Sequence, residues 1–492
     1  MKQTMQPLDW VVIGVYGIGM LIIGWYFSRR TKTSEDYMLG GRQMRSWMVG
    51  MSLFASLLSA VSYLAWPGEM LHYGPMLFCQ TLSHPLTFIV VGWFLIPAFM
   101  RTRVSSAYEL LEIRLGPSVR ILASILFLTM RLIWMGVIIY VSAVKVIVPI
   151  MGWSDEAAIW VSIVMGVITI IYTSMGGLRA VVLTDVIQTF ILFSAAIGAI
   201  ILITSDLGSV TAWIPKKWPD GWLGWTFFDT KVRVSFLTTF ISGFSWWVCT
   251  AGSDQMAVQR YLATRDAKTA RKTLLTSLIC DATVGLFLAI IGLALLAYFQ
   301  VHANLLPEGQ TITSYADRLF PHFIVTALPA GITGLVIAGL LAAAMSSLSS
   351  GINSSSLVIS RDFISRFSKK EIAESAQVKL NKIISVGIGV IFVLLSLLVS
   401  KVKGNLVEVS SKTVNLLVAP LFVPFFMALF IRRATAFGTF IGTIVSIVVA
   451  VSIGFSSELF GRYVTFLWIM PGSFIAGIFV STVLSFFRQV KK

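Results

Sequence analysis

Apolar stretches of about 20 residues alternate with short polar segments along nearly the whole chain. A stretch of that length is enough for an α-helix to cross the hydrocarbon core of a bilayer. The pattern therefore predicts an all-α integral membrane protein with about 13 transmembrane helices. The predicted spans cover residues 10–28, 47–72, 77–99, 121–150, 156–175, 180–204, 234–258, 274–299, 322–358, 379–400, 405–431, 436–455 and 464–487.

Two of the predicted spans carry polar residues at mid-depth, where a lipid-facing helix would be apolar. The second span contains Ser56, Ser59 and Ser62, and Pro67 with the glycine after it predicts a bend at the outer end. The seventh span is similarly polar over residues 242–255. Packing through small residues would explain each span separately. Because the two spans are five apart, they also match the paired, interrupted helices that hold the substrate in inverted-repeat transporters.

The ninth predicted span contains four closely spaced serines inside an otherwise apolar helix. We call Ser346, Ser347, Ser349 and Ser350 the serine ladder. Small residues let helices pack closely in a bilayer, which is one explanation for them. Hydroxyl oxygens, together with backbone carbonyls, are also hard ligands that suit a small cation such as Na⁺. This segment alone leaves both explanations open.

Composition and charge agree with a membrane protein, since 57% of the 492 residues are hydrophobic and 12% are charged. The net charge of +16 could suggest a nucleic-acid partner. However, most Lys and Arg residues fall in alternate loops, such as residues 29–45 and 260–272, and topology explains them better. By the positive-inside rule, this distribution predicts an N-terminus outside the cell and a C-terminus in the cytoplasm.

Catalytic and metal-binding patterns do not stand out in the sequence. The three cysteines and four histidines show no spacing typical of a disulfide framework or a transition-metal site. No nucleophile–base set suggests an enzyme. We therefore expect the function to lie within the bilayer, as transport or conduction.

Several motifs resemble those of the sodium:solute symporter family, and together they extend along almost the whole chain. Besides the serine ladder they are residues 33–42 (TSEDYMLGGR), 106–112 (SAYELLE), 171–177 (IYTSMGG), 184–188 (TDVIQ) and 254–261 (DQMAVQRY). The resemblance implies a leucine-transporter-like fold: a single transporter domain with two inverted five-helix repeats, one extra N-terminal helix and two extra C-terminal helices. On that mapping the extra first helix, the first repeat, the second repeat and the C-terminal helices occupy residues 10–28, 47–204, 234–431 and 436–487.

The same resemblance implies two sodium sites, both involving the serine ladder. The ligands of the first would be backbone carbonyls of an unwound second span and of the ninth span, with two ladder hydroxyls: Ala55, Leu58, Ala343, Ser346 and Ser347. Some members of the family bind a second sodium through an aspartate and further hydroxyls. The matching residues here are Asp185, Ser346, Ser349 and Ser350.

The substrate prediction rests on comparison with the branches of the family. Sugar-transporting members place a Glu-Gln pair where this chain has Val61 and Ser62, which argues against a glucose-type substrate. Sialic acid transporters use an arginine of the fourth span, and the matching position here is Trp134, with Arg131 one turn or about 5.4 Å earlier. Arg131 either serves a carboxylate from there or extends to water. The candidate substrate residues are Ser59, Ser62, Gln80, Arg131, Trp134, Trp247 and Thr250.

The motifs of the second and seventh spans look most like the branch that carries monocarboxylates, vitamins and iodide. The leading hypothesis is a sodium-coupled symporter of the cell membrane that imports a small organic anion, such as a monocarboxylate, by alternating access. The alternative is a sodium-coupled sugar or sialic acid symporter, followed by an uncoupled uniporter or channel and a membrane sensor. We expect Na⁺ as the co-transported ion and a monomer in the lipid bilayer, with no nucleic-acid partner.

Overall fold

The computed structural model describes residues 5–102, 104–215, 218–219, 221–222, 224–229, 232–367, 373–399 and 406–489. Every regular element in these ranges is a helix, which confirms the all-α prediction. Residue 405, where the eleventh predicted span begins, lies outside the described residues.

The described residues of the N-terminal half form ten α-helices. They are α1 (Pro7–Ser28), α2 (Ser34–Leu39), α3 (Ser46–Leu57), α4 (Ala60–Tyr73), α5 (His84–Val90), α6 (Ile96–Thr102), α7 (Glu109–Leu115), α8 (Pro117–Val141), α9 (Val148–Met151) and α10 (Ala157–Leu207). A 3₁₀ segment precedes α5, and π-helical turns connect α5 to α6 and α8 to α9. The third predicted span, residues 77–99, therefore lies within one continuous helical run, Pro75–Thr102, whose hydrogen-bond pattern changes along its length.

In the part of the C-terminal half that the structure describes, there are eleven α-helices. They are α11 (Phe236–Ser253), α12 (Gln255–Leu262), α13 (Ala267–Val301), α14 (Ala316–Thr326), α15 (Ile332–Val358), α16 (Ser365–Phe367), α17 (Glu374–Leu398), α18 (Leu406–Phe430), α19 (Ala436–Gly454), α20 (Ser456–Phe460) and α21 (Ile469–Gln489). A π-helical turn joins α15 to α16.

The number of membrane spans agrees with the prediction only in part. Ten described helices are long and apolar enough to cross a membrane, or eleven if α3 and α4 form one bent span. Helix α10 has 51 residues, so its length of roughly 75 Å exceeds the bilayer core. It changes direction at Gly177, where φ is 61° and an added Cβ would lie 2.5 Å from the Tyr37 carbonyl oxygen. The count of thirteen stays a prediction.

The break in the second predicted span lies elsewhere than expected. The axes of α3 and α4 differ by 69°, and the break is at Leu58 and Ser59, both with extended backbone. The expected bend at Pro67 and Gly68 stays a prediction, since both residues lie inside α4, where a proline can bend the helix without ending it. Serine favours such a break because its hydroxyl can bond to nearby backbone groups in place of the helical bonds.

Two other predicted spans are also interrupted. The ninth, residues 322–358, is divided into α14 and α15 by a segment containing Pro329 and Gly331, whose φ is 84°. Proline lacks the N–H that a continuous helix needs, and glycine tolerates positive φ. The seventh, residues 234–258, is interrupted at Asp254, which has extended backbone between α11 and α12.

Helix α15 lies at the centre of the bundle. It packs against α10, α1, α17, α8 and α3, and nearly all its residues are buried. The serine ladder therefore faces other helices of the protein rather than lipid, and each of its hydroxyl groups needs a polar partner there.

Candidate functional site

The α3–α4 break releases backbone carbonyls in the middle of the protein. Ser59 caps α4, since its side-chain oxygen accepts a hydrogen bond from the Ser62 N–H at 3.2 Å. Helix α3 ends at Leu57, so the carbonyls of Ala55 and Leu58 accept no hydrogen bond from a following helical turn. Carbonyls at such an end need partners outside their own helix.

The first half of the serine ladder supplies those partners. The Ser346 hydroxyl donates to the Ala55 carbonyl at 2.9 Å and to the Ala343 carbonyl at 3.2 Å. The Ser347 hydroxyl donates to the Leu58 carbonyl at 2.8 Å. All five residues predicted for the first sodium site are thereby brought together in one place.

A small cavity of about 10 Å³ adjoins four of these five residues, all except Ser347. This volume is close to the space that one water molecule needs, and a small cation fits a space of that size. Ala55, Leu58, Ala343 and Ser346 line it, and so do residues that the sequence analysis did not select: Phe54, Gln188, Thr189, Leu192 and Ala342. The Gln188 Oε1 atom is buried and has no hydrogen-bond partner among the described residues. It is an additional oxygen at the border of this cavity.

The second half of the ladder has different surroundings. The Asp185 carboxylate is fully buried; it accepts a hydrogen bond from the Ser52 hydroxyl at 2.6 Å and lies 3.6 Å from Nη2 of Arg260. The same Arg260 nitrogen donates to the Ser350 hydroxyl at 2.5 Å. Ser349 is turned away and donates to the Ser346 carbonyl at 3.0 Å. The structure therefore brings Asp185 and Ser350 together around a guanidinium group.

Sequence reasoning missed the role of Arg260. Its position near the end of a predicted span placed it among the basic loop residues, but it is fully buried in α12, and that assignment is wrong. A buried guanidinium requires acceptors. Helix α12 packs against α3 and α15, and Arg260 donates there to the hydroxyls of Ser52, Ser56 and Ser350. Its place in the 254–261 motif was the one available signal.

A larger cavity of about 170 Å³, which we call the central cavity, also borders the α3–α4 break. Six of the seven predicted substrate residues line it: Ser62, Gln80, Arg131, Trp134, Trp247 and Thr250. Ser59 is not among the described lining residues; it is buried, and its hydroxyl caps α4 and lies 3.1 Å from the Ser62 hydroxyl. Its predicted role as a substrate ligand stays a prediction.

Arg131 does not extend to water. Its side chain is 4% exposed and forms an ion pair with Asp254, which is 1% exposed. The Nε atom of Arg131 and the Oγ1 atom of Thr250 are buried without hydrogen-bond partners among the described residues. Both atoms belong to cavity-lining residues, so they are available to a polar ligand there.

The aromatic side of the cavity is ordered by its own contacts. Trp247 is 4% exposed and meets the rings of His84 and Trp246 edge to face. His84 lies 3.3 Å from Asp281, another lining residue. Trp247 is therefore a fixed apolar part of the cavity wall, which also contains the polar groups of Ser62, Gln80 and Thr250.

The sequence model of the sodium:solute symporter family matches residues 37–446. The chain is 32% identical over 404 residues to the sodium/sialic acid symporter SiaT of Proteus mirabilis, covering 78% of this chain and 76% of that protein. It is 28% identical to the sodium/sialic acid symporter NanT of Aliivibrio fischeri, covering 80% and 77%. With sodium-coupled monocarboxylate transporter 1 of Xenopus laevis the identity is 30%, covering 72% and 57%.

Solved structures of transporters superpose on this chain along nearly its whole length. A substrate-bound, outward-open structure of a Na⁺-coupled sialic acid symporter, reported to contain a novel Na⁺ site, superposes with a TM-score of 0.83. It is 29% identical in sequence and covers 98% of both chains. The nucleobase-cation-symport-1 family transporter Mhp1 superposes with a TM-score of 0.58 at 12% identity, which shows a shared fold alone.

Proposed function

The chain belongs to the sodium:solute symporter family, and we propose that this Na⁺-coupled symporter imports sialic acid or a closely related sugar acid. From the sequence alone, a monocarboxylate is the leading substrate, and a sugar or sialic acid is the alternative. The relatives support the alternative better than the preferred substrate. The observation that carries the proposal is the buried position of Arg131 on the central cavity.

A sugar acid presents a carboxylate, several hydroxyl groups and an apolar ring face. Arg131 supplies a cation whose planar group suits a carboxylate. The hydroxyl and amide groups of Ser62, Gln80 and Thr250 can exchange hydrogen bonds with sugar hydroxyls. Trp134 and Trp247 offer aromatic surface to the ring face. The cavity therefore combines an arginine paired with Asp254, a second acid beside His84, several neutral polar groups and an aromatic wall. A sugar acid can use the arginine as well as the neutral groups, whereas a neutral hexose uses the neutral groups alone.

Coupling to sodium is proposed to occur at the α3–α4 break. Ala55, Leu58 and Ala343 contribute carbonyl oxygens there, and the Ser346 and Ser347 hydroxyls can rotate so that their oxygens face a cation. Since α3 and α4 also border the substrate cavity, a cation at the break would hold together the same segments that the substrate contacts. This arrangement supports alternating access in which both solutes stabilise one conformation.

Uptake into proteoliposomes tests the substrate. We expect radiolabelled sialic acid to accumulate under an inward Na⁺ gradient and to remain at background level when K⁺ replaces Na⁺. Unlabelled pyruvate, nicotinate, iodide and glucose serve as competitors. Competition by sialic acid alone supports the proposal. Competition by pyruvate or nicotinate with no transport of sialic acid would instead establish the monocarboxylate function, and competition by glucose alone would exclude both acids.

We also propose a cell-membrane location with the N-terminus outside and the C-terminus in the cytoplasm, based on the distribution of basic residues. The test is labelling of intact cells with a membrane-impermeant thiol reagent, in a variant whose three native cysteines are replaced by alanine. Ser457→Cys should react from outside, whereas Arg432→Cys should react only after the membrane is opened. Both positions are exposed on the protein surface. The reverse result would invert the topology.

A further inference from the structure

We propose that Asp254 competes with the substrate carboxylate for Arg131 and thereby sets the affinity of the cavity for acids. The inference rests on the proposed function, because it requires an acidic substrate. It begins from two charged residues that both line the central cavity, Arg131 on α8 and Asp254 between α11 and α12. Nothing in the sequence pattern links these two residues.

The geometry of the guanidinium makes the competition direct. Asp254 contacts the Nη2 atom of Arg131 through its Oδ2 atom, while the neighbouring Nε has no hydrogen-bond partner among the described residues. The Nε and Nη2 hydrogens lie on the same edge of the planar group. A carboxylate binds that edge most strongly when it receives both hydrogens. A substrate carboxylate that binds this edge can therefore gain its second hydrogen bond only by displacing Asp254.

Asp254 can leave Arg131 without unfolding its own helix. Its other oxygen, Oδ1, accepts a hydrogen bond from the Met256 N–H at 2.9 Å and so caps α12. Rotation of the carboxylate can release Nη2 while this cap is kept. The displaced Oδ2 would then face the cavity at the point where α11 and α12 meet. Substrate binding would thereby leave the negative charge of Asp254 without its arginine partner at the break of the seventh span.

The cavity also contains a second acid that provides a matched control. Asp281 lines the same cavity, but it lies 3.3 Å from His84 and its side chain is 29% exposed. Asp281→Asn removes the same formal charge from the same cavity without releasing Arg131. A general electrostatic effect of acidic residues would therefore tighten binding of the acid equally in Asp281→Asn and in the Asp254 variant. Competition for Arg131 would tighten it mainly in the Asp254 variant.

Binding to purified transporter in Na⁺ buffer tests the inference, with titration calorimetry of sialic acid and of its neutral methyl ester. In Asp254→Asn, the Asn side chain can still cap α12, but it no longer carries the charge that holds Arg131. We expect the Kd for sialic acid to fall by about tenfold, which corresponds to one charge-assisted hydrogen bond gained. The Kd for the methyl ester should change by less than about twofold, and Asp281→Asn should tighten binding of the acid less than Asp254→Asn does.

A further variant checks that the effect passes through Arg131. When Arg131→Gln is combined with Asp254→Asn, the preference for the acid over its ester should be lost. Asp254→Ser, which also retains a capping hydroxyl, replaces Asp254→Asn if the latter does not fold.

Unchanged or weaker acid binding by a folded Asp254 variant would overturn the inference, and so would equal tightening by Asp281→Asn. The wild-type protein separates the two levels of the argument. If the wild type binds no sialic acid, the proposed function fails and the inference fails with it; if the wild type binds sialic acid and the Asp254 variants bind it no more tightly, the inference alone fails.

Discussion

The two halves of the serine ladder use the same residue type on the same helix, but they face different chemistry. Ser346 and Ser347 meet neutral backbone carbonyls at the α3–α4 break. Ser350, one turn further along α15, meets the guanidinium of Arg260, which itself lies beside Asp185. The first half is a group of partial negative charges with no cation among the described residues around it. The second half is already balanced by an arginine.

This difference shows that hydroxyl groups alone do not determine where a cation binds. Oxygen atoms attract Na⁺ only as far as their charge is not already neutralised by another group. At the first site a sodium ion would supply the only positive charge near the carbonyls in the described part of the chain. At the second site it would have to share Asp185 with Arg260. We therefore expect the first site to dominate the sodium dependence of transport.

Asp185→Asn is expected to have the largest effect, and the effect is on stability. The change leaves the Arg260 guanidinium buried without its acidic partner, which typically costs about 3 kcal/mol or more. Thermal unfolding of the purified protein measures it. Combining Asp185→Asn with Arg260→Gln should recover most of the lost stability. A single variant as stable as the wild type would mean that the pair is not what balances the second half of the ladder.

Ser347→Ala and Ser346→Ala are expected to affect sodium dependence most strongly. Each removes one of about five oxygens from the first site, and a hydrogen-bonded ligand to a charged group is worth about 1.5–3 kcal/mol. The Na⁺ concentration for half-maximal uptake should rise by about tenfold or more. Ser354→Ala is the control, since Ser354 is buried on the same helix and donates to its own helix at Ser350. An unchanged half-saturating concentration would remove that serine from the site.

Arg260→Gln should make the second half of the ladder resemble the first. Asp185 then remains buried without its guanidinium partner, so the free energy of unfolding should fall at low salt and recover as Na⁺ is added. We expect a recovery of about 1 kcal/mol or more between choline chloride and NaCl at equal ionic strength, as a bound cation stabilises by mass action. The wild type should gain less. Equal gains in both proteins would show that no cation binds beside Asp185.

Gln188→Leu is expected to have the smallest effect. Gln188 lines the small cavity at the first site and its Oε1 has no partner among the described residues, while its amide nitrogen donates to the Tyr16 hydroxyl at 2.8 Å. If the partial negative charge of Oε1 stabilises the cation, its loss should raise the half-saturating Na⁺ concentration by about threefold, which corresponds to roughly 0.6 kcal/mol of binding free energy. Tyr16→Phe removes the hydroxyl that accepts from the Gln188 amide nitrogen but keeps Oε1 in the protein. It therefore separates an effect of packing around Gln188 from an effect of the Oε1 atom on the cation. A rise of the same size in Tyr16→Phe would assign the effect to packing.

The sequence predicted the first half of the ladder better than the second. Ser346 and Ser347 could be matched to Ala55, Leu58 and Ala343 because the family resemblance supplied all five positions, and the structure brings the five together. Asp185 and Ser350 were matched in the same way, but their partner Arg260 was assigned to a loop. Counting basic residues by their distance from a span end cannot distinguish an arginine in solvent from one that a short helix turns inward.

The breaks in the helices show a similar limit. Pro67 was a stronger local signal for a bend than Ser59, yet the chain continues as α4 through Pro67 and breaks at Ser59. Proline raises the cost of a regular helix, but neighbouring helices in a membrane protein can compensate for it. The break at Ser59 depends on partners from α15, which satisfy the carbonyls of α3.

The sequence by itself determined the all-helical membrane architecture and the family, because span length and the family motifs are local properties of the chain. Six of the seven substrate residues that it selected line the central cavity. The tertiary structure alone decided which charges meet: Arg260 with Asp185, and Arg131 with Asp254. Each of these pairs joins helices that are distant in the sequence. Their contact depends on the direction in which a broken helix continues, and no local pattern of residues encodes that direction.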